Sequence, residues 1–436
     1  MTSIVEIFSR KLFLPLKIIL LFAPLNSLCQ VVHPVSFYLE SASKNSPALK
    51  ENINKQSAIA FQYKLITSQV KSPQVSVSSD YLFAPFFNSN NKTLDFTNNP
   101  SSKAIGYDVG ITNGGLYSAL LNISVPLLSA KAYRPLFNQN QILTNQLSNE
   151  QLAILHDLEK NVTDLYIAAL QLQQQAQNNK ELSELLEERI NIVNHLVEKG
   201  LMSAADLLLL QIEKGNRLND LLDLQIKYKT AIIQLNNICG ISDTATVVLA
   251  APAIEVSKRK TSFNYLEKYR IDSLIYVTDQ QVFNVKYLPQ ISVFGNTGLN
   301  AVYAPNIPQN FGLSAGLHLA IPIYDGGQRR LNSSIAQVNQ QILYDYKNNF
   351  TLQLTNNLDL IESQISQKQN LISLEQQQLK QYQTLLSIYT AQVVNGQLSA
   401  IDFVNSLSQY KIAQQTKIQS QTDLLFLISQ YNYLNW

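Results

Sequence analysis

Between Pro135 and Gly200 the chain holds neither glycine nor proline, and apolar side chains return every three or four residues. Leu155, Leu158, Val162, Leu165, Ala169, Leu172 and Ala176 keep the heptad step of a coiled coil. The spacing predicts one helix over about 133–199, roughly 100 Å long at about 1.5 Å per residue. A rod of that length cannot bury its apolar seam alone and needs neighbours of similar length.

The chain supplies such neighbours by repeating itself. Ser-Val-Pro at 124–126 returns as Ala-Ile-Pro at 320–322. Gly-Leu-Met-Ser-Ala-Ala-Asp at 200–206 returns as Gly-Gln-Leu-Ser-Ala-Ile-Asp at 396–402, and Gln-Leu-Asn at 234–236 as Gln-Tyr-Asn at 430–432. These three pairs share an offset of 196 residues, whereas Pro-Gln-Val-Ser-Val at 73–77 and Pro-Gln-Ile-Ser-Val at 289–293 are 216 apart. The first copy therefore has a longer stretch between its two prolines. Internal duplication outranks any local motif as a constraint on the fold. We expect a first structural repeat over 30–240 and a second over 263–436, joined by a linker, 241–262.

Each copy reads as helix, strand, loop, strand, very long helix, tight turn, long helix. In the first, residues 36–70 form the opening helix, which Pro73 ends. Val75 and Val77 alternate with Ser76 and Ser78, and Leu121, Ile123 and Val125 with Asn122 and Ser124, the period of strands at about 74–84 and 115–126. A helical hairpin over about 133–238 turns at Gly200, where Ser203-x-x-Asp206 is a capping-box signature. In the second copy, strands at about 290–300 and 312–322 precede a hairpin over about 328–434, with heptad positions Leu354, Leu358, Ile361 and Ile365. It turns at Gly396, and Ser399-x-x-Asp402 caps its last helix.

Composition excludes some functions. Charged residues are 15%, Gln and Asn fill the polar faces, and a net charge of +2 gives no electrostatic case for nucleic acid. Arg10, Lys11 and Lys17 precede the apolar run Ile18–Leu25, the layout of a secretory signal peptide over 1–29 with cleavage before Gln30. That cleavage removes Cys29; the alternative, a lipoprotein, would make Cys29 the lipidated mature N-terminus. Beyond it no run of 18 apolar residues occurs, so the mature chain is expected to be soluble outside the cytoplasm or to enter a membrane as strands.

Alternation of apolar and polar residues on four strands is the pattern of a membrane barrel with a wet lumen. Four strands cannot close a barrel, and lipid tolerates no open edge, so the smallest solution is a barrel shared among several chains. The duplication, the proline-flanked strands, the segment Ile-Pro-Ile-Tyr-Asp-Gly-Gly-Gln-Arg-Arg at 321–330 and the two Gly…Ser-Ala-x-Asp turns resemble the TolC family of outer-membrane efflux proteins. The resemblance implies a mainly α fold with membrane β-strands. It also implies a homotrimer, with a twelve-stranded β-barrel in outer-membrane lipid continued by an α-helical coiled-coil barrel in the periplasm of a Gram-negative bacterium. Such proteins serve as exit ducts of tripartite pumps or type I secretion systems. They dock a periplasmic adaptor (membrane fusion) protein and an inner-membrane transporter of the RND or ABC type.

By the same resemblance the two turns form the periplasmic tip. Gly200, Leu201, Ser203 and Ala204, with Gly396, Gln397, Leu398 and Ser399, become adaptor-contact residues. Asp402 matches an acidic aperture residue of the family, while Asn405 stands where a second one occurs. Asp206 matches a residue that latches the closed tip, but its usual tyrosine and arginine partners are replaced by Val393 and Leu398. Each aspartate also has a plain structural reading at the third position of a capping box, favoured for Asp206.

No nucleophile–base arrangement and no His/Cys spacing for a metal appears, so neither an enzyme nor a cofactor is expected. His318 reads as a polar lining residue, and Arg329 and Arg330 as solvated charges near a membrane boundary. The competing reading is an exported structural coiled-coil protein without a pore, which leaves the four alternating segments unexplained.

Overall fold

A computed structural model describes residues 32–86, 105–107, 111–112, 114–127, 130–243, 245, 247–395, 397 and 399–436. The predicted signal peptide, with Cys29, and most of the polar stretch 88–114 lie outside them. In chain order the elements are β1 (Val32–His33), α1 (Val35–Asn45), α2 (Pro47–Lys71), β2 (Gln74–Ala84), β3 (Gly114–Pro126), α3 (Ala130–Glu198) and α4 (Ala204–Cys239). There follow β4 (Val248–Leu249), α5 (Tyr265–Val285), β5 (Gln290–Ala301), a 3-10 turn (Ala304–Gln309), β6 (Phe311–Ala320), α6 (Gln328–Val394) and α7 (Ala400–Leu434).

The opening helix differs from the sequence expectation. It is two helices, because Pro47 supplies no amide for a continuous ladder and restricts Ser46 before it. Ser46 instead caps α2, accepting from the Leu49 amide at 3.4 Å. The short parallel pair of β1 with β4 was also not expected; two residues are too few to show a period.

β2, β3, β5 and β6 form one antiparallel sheet in the order β2-β3-β5-β6. Its register aligns Ser76, Asn122, Asn296 and Ser314 in one row across all four strands. That face is hydrogen-bonded along itself, Asn122 Nδ2 to Ser78 Oγ at 2.9 Å and Ser314 Oγ to Asn296 Oδ1 at 2.5 Å. The opposite face carries Val75, Val77, Leu121, Ile123, Leu313, Leu317 and Leu319, all exposed within one chain, Leu313 to 83%. Both β2 and β6 are edges, so backbone donors and acceptors run unpaired along the two sides of the sheet.

The long helices bury their seams pairwise, α3 on α4 and α6 on α7, and α3 also runs along α7. Val162 and Ala169 of the predicted seam are fully buried, with Leu158, Leu165 and Leu172 packed beside them against Tyr228, Ile232 and Leu235 of α4. Leu354, Leu358, Ile361 and Ile365 are likewise buried, against Ile428 and Tyr431 of α7. Truncating such a side chain to alanine costs about 2–5 kcal/mol.

Midway along the helices the β1–β4 pair is stitched to α3. The Tyr166 hydroxyl lies 2.9 Å from the His33 carbonyl oxygen and 2.6 Å from that of Ala250. Burial pushes this hydroxyl up to about 12, so it remains a donor. The same burial raises the Cys239 thiol to about 11 and keeps it protonated. The chain's last residues are held too. The His156 ring stacks on Tyr433 at 4.7 Å and on Trp436 at 4.5 Å between centroids, and its Nε2 lies 2.8 Å from the Tyr433 carbonyl oxygen.

One position tests the sheet directly. Gly298 has φ +150°, and a Cβ there would stand 2.1 Å from the Ala119 carbonyl oxygen on the neighbouring strand. Gly298→Ala should cost at least about 1–3 kcal/mol. Gly312→Ala, on an open position of the same sheet, should be tolerated. Thermal melting in mild detergent compares them, and equal melting of the two would remove the close approach.

Candidate gating site at the helical tip

The α3–α4 turn closes because Gly200 takes φ +71°, a left-handed conformation costly for any residue with a Cβ. The Gly200 amide then reaches the Val197 carbonyl and the Leu201 amide the Leu196 carbonyl, both at 2.9 Å, which satisfies the last carbonyls of α3. Leu201, Ser203 and Ala204 stand exposed on the turn. In the second turn the Gln397 amide donates to the Gln392 carbonyl at 2.8 Å, the same six-to-one bond. Gln397 and Ser399 are exposed, while Gly396 and Leu398 lie outside the described residues.

Asp206 does two jobs at once. Its Oδ2 accepts from the Ser203 hydroxyl at 2.7 Å and the Ser203 amide at 3.3 Å, and Ser203 Oγ accepts from the Asp206 amide at 3.2 Å, completing the capping box. Its Oδ1 accepts from the Ala400 amide at 3.2 Å, across the tip at the start of α7. The Ser203 hydrogen bond is the largest influence holding this carboxyl below its ordinary range, with the Ala400 and Ser203 amides adding to it. One carboxylate thus ties the two turns together through a backbone amide, without a partner side chain.

Asp402 and Asn405 are one turn apart on α7, both exposed on its outer face beside Ile401. Asp402 accepts from the Ser399 hydroxyl at 2.8 Å, and Ser399 Oγ accepts from the Asp402 amide at 3.4 Å. Its carboxylate is therefore partly engaged as a cap and still open to solvent. The structure brings Asp206 to the second turn; Asp402 and Asn405 share a face with each other but not with Asp206.

Beneath the turns is an apolar plug. Val193, Leu210, Val393, Ala400, Phe403 and Leu407 are buried together, with Met202 beside them. Val393 is 1% exposed and fills core space where the resemblance would place a tyrosine. Farther from the turns than the plug, Lys411 Nζ reaches Asp220 Oδ2 at 2.7 Å, linking α7 to α4. Buried Arg217 sits 3.0 Å from Glu213 and 3.2 Å from Asp220 without an aligned hydrogen bond. The resemblance offered Asp206 as a latch, but sequence reasoning named neither the Ala400 amide as its partner nor the Lys411–Asp220 pair, since partners 194 and 191 residues apart leave no local signal.

The Asp206 tether has a definite pH dependence. Its folded pKa lies below the unfolded value of about 3.9, so the stability it contributes is present above that value and lost as pH falls through the folded pKa. Asp206→Ala should cost about 0.5–2 kcal/mol as a lost cap. The gap from wild type in thermal melting should stay constant from about pH 8 to 5 and close below about pH 4. A gap that closes near pH 6 would exclude the carboxylate as its source.

Residues 281–425 match the family described as outer membrane efflux protein. No curated protein matches the chain. Among solved structures, the CusC channel aligns with a TM-score of 0.70 at 15% identity, over 93% of this chain and 92% of CusC. The outer membrane protein VceC of Vibrio cholerae aligns at 0.67 and 13%, over 92% and 96%. The Campylobacter jejuni CmeC outer membrane channel aligns at 0.66 and 14%, over 92% and 85%. These findings bear out the resemblance read from the sequence, and with it the mainly helical fold with its small share of strands.

Proposed function

We propose that this chain, which has the fold of an outer-membrane efflux channel, is one protomer of a homotrimeric exit duct. The observation that carries the reading is the four-stranded sheet, apolar along one face, polar along the other and unpaired at β2 and β6. β2 leaves the helices and β6 returns to them, so β6 of one copy can pair antiparallel with β2 of the next. Three copies close a twelve-stranded barrel with no free edge, and its row of Ser and Asn faces the lumen. The long hairpins continue that barrel as a helical tunnel. Residues 30–240 and 263–436 are the two repeats that build each third of the wall.

In this reading the barrel sits in the outer membrane of a Gram-negative bacterium and the helices in the periplasm. Cargo passes without chemistry from an inner-membrane transporter of the RND or ABC type. A periplasmic adaptor meets the tips at Gly200, Leu201, Ser203, Ala204, Gly396, Gln397, Leu398 and Ser399. Asp206 holds the resting tip together, and three copies of Asp402, with Asn405 one turn above, ring the aperture. A pore-free coiled-coil assembly fits less well, because it leaves an exposed apolar sheet face without a solvent that suits it.

Single-particle imaging of protein extracted from the outer-membrane fraction should give a hollow three-fold cylinder with a long stem; a solid rod or a monomer would sink the duct. In planar bilayers Asp402→Ala should raise conductance modestly and weaken block by multivalent cations. Unchanged block would remove Asp402 from the aperture.

A further inference from the structure

The segment that leaves the sheet carries charge that the duct reading does not use. Ile321 and Ile323 are 54% and 96% exposed, and Tyr324 is 89% exposed. They follow β6 directly, and Ile323 and Tyr324 border an open cleft of about 670 Å³ between α5 and the start of α6. Arg329, Arg330 and Tyr287 line the cleft. Among the described residues, Arg189, Arg217, Arg259 and Arg270 stand within ion-pair distance of a carboxylate. Arg329 and Arg330 have no carboxylate within ion-pair distance among the described residues.

The cleft's own acid, Asp325, is turned to the backbone: its Oδ1 accepts from the Gly327 amide and its Oδ2 from the Arg329 amide, each at 2.8 Å, and the nearby Tyr287 hydroxyl also stabilises the carboxylate. Its single negative charge is outnumbered by the two guanidiniums. Lys286 adds a third cation at the rim, its ammonium 3.6 Å from the centre of the Phe283 ring. Two guanidiniums, an ammonium and two tyrosines therefore meet just where an apolar strand face ends. Basic pockets beside apolar spans suit anionic head groups, and aromatic rings with polar tips suit the same depth.

We propose that this cleft binds the phosphate of an anionic glycerophospholipid in the leaflet nearer the helices, with the acyl chains lying along Ile323, Ile321 and Leu319. The inference rests on the duct reading, which puts β6 in the membrane. Arg329 and Arg330 hold the phosphate by charge-assisted hydrogen bonds, and Tyr324 and Tyr287 flank the glycerol. A second copy of the chain is the competing occupant. Charge complementarity favours the lipid, since the edge of the neighbouring copy's β2 is entered from Lys71 and brings another cation.

The test is native mass spectrometry of the delipidated, detergent-held protein titrated with phosphatidylglycerol and, separately, phosphatidylcholine. Wild type should bind phosphatidylglycerol preferentially. R329Q/R330Q should weaken that binding about twenty-five-fold, at about fivefold per arginine, while R329K/R330K keeps it. Millimolar inorganic phosphate should not displace the lipid; full displacement would overturn the lipid assignment in favour of a free anion. Equal binding by R329Q/R330Q, or disulfide formation between copies through Ile323→Cys with no lipid bound, also overturns the proposal. Wild type that conducts in bilayers but takes up no phosphatidylglycerol sinks this inference alone. Wild type that neither inserts nor conducts sinks the duct reading beneath it.

Discussion

None of the long helices can bury its own seam, and the molecule is arranged around that fact. Val162 and Ala169 of α3 are fully enclosed because α4 runs beside them, and Leu354 through Ile365 of α6 because α7 does. In water an isolated helix gains little from propensity, so its stability comes from such packing. Each hairpin therefore needs a turn tight enough to bring its helices together, and Gly200 supplies one. The sheet depends on the same rods, since α2, α3, α5 and α6 bring the strand ends to a common level.

The heptads and strand periods were open to sequence reading because they are local. Leu358 is buried where its spacing puts it, and α2 ends at Lys71, just before Pro73. The break into two helices at Ser46–Pro47 was also legible in principle, but the amphipathic pattern runs through it and masks the stop. What the sequence could not disclose is which distant groups meet. The Asp206 bond to the Ala400 amide, the Lys411–Asp220 pair and the stacking of His156 on Trp436 join residues that no periodicity relates. Asp206 was read chiefly as a cap; it is a cap and a tether, because a carboxylate has two oxygens and the box uses one.

At the tip the balance of forces is unusual. Among the described residues the two turns are fastened to each other by one carboxylate on a backbone amide, while Val393, Phe403 and Leu407 contribute a continuous apolar contact. Apolar contact is non-directional and tolerates sliding, whereas a hydrogen bond does not. In the duct reading proposed above, a tip held mainly by apolar packing leaves the Asp206 bond as the contact that fixes how the two turns align.

The pairing of β1 with β4 bears on the order in which the chain can fold. Val32 pairs with Val248 and His33 with Leu249, and Tyr166 reaches the carbonyls on both sides of that pair. A chain delivered amino end first presents Val32 more than two hundred residues before its partner arrives. Closing so long a loop comes late, so α3 and α4 must collapse on each other before β1 has anything to join. β1 is then among the last elements in place, and until it docks the surface of α3 around Tyr166 stays uncovered.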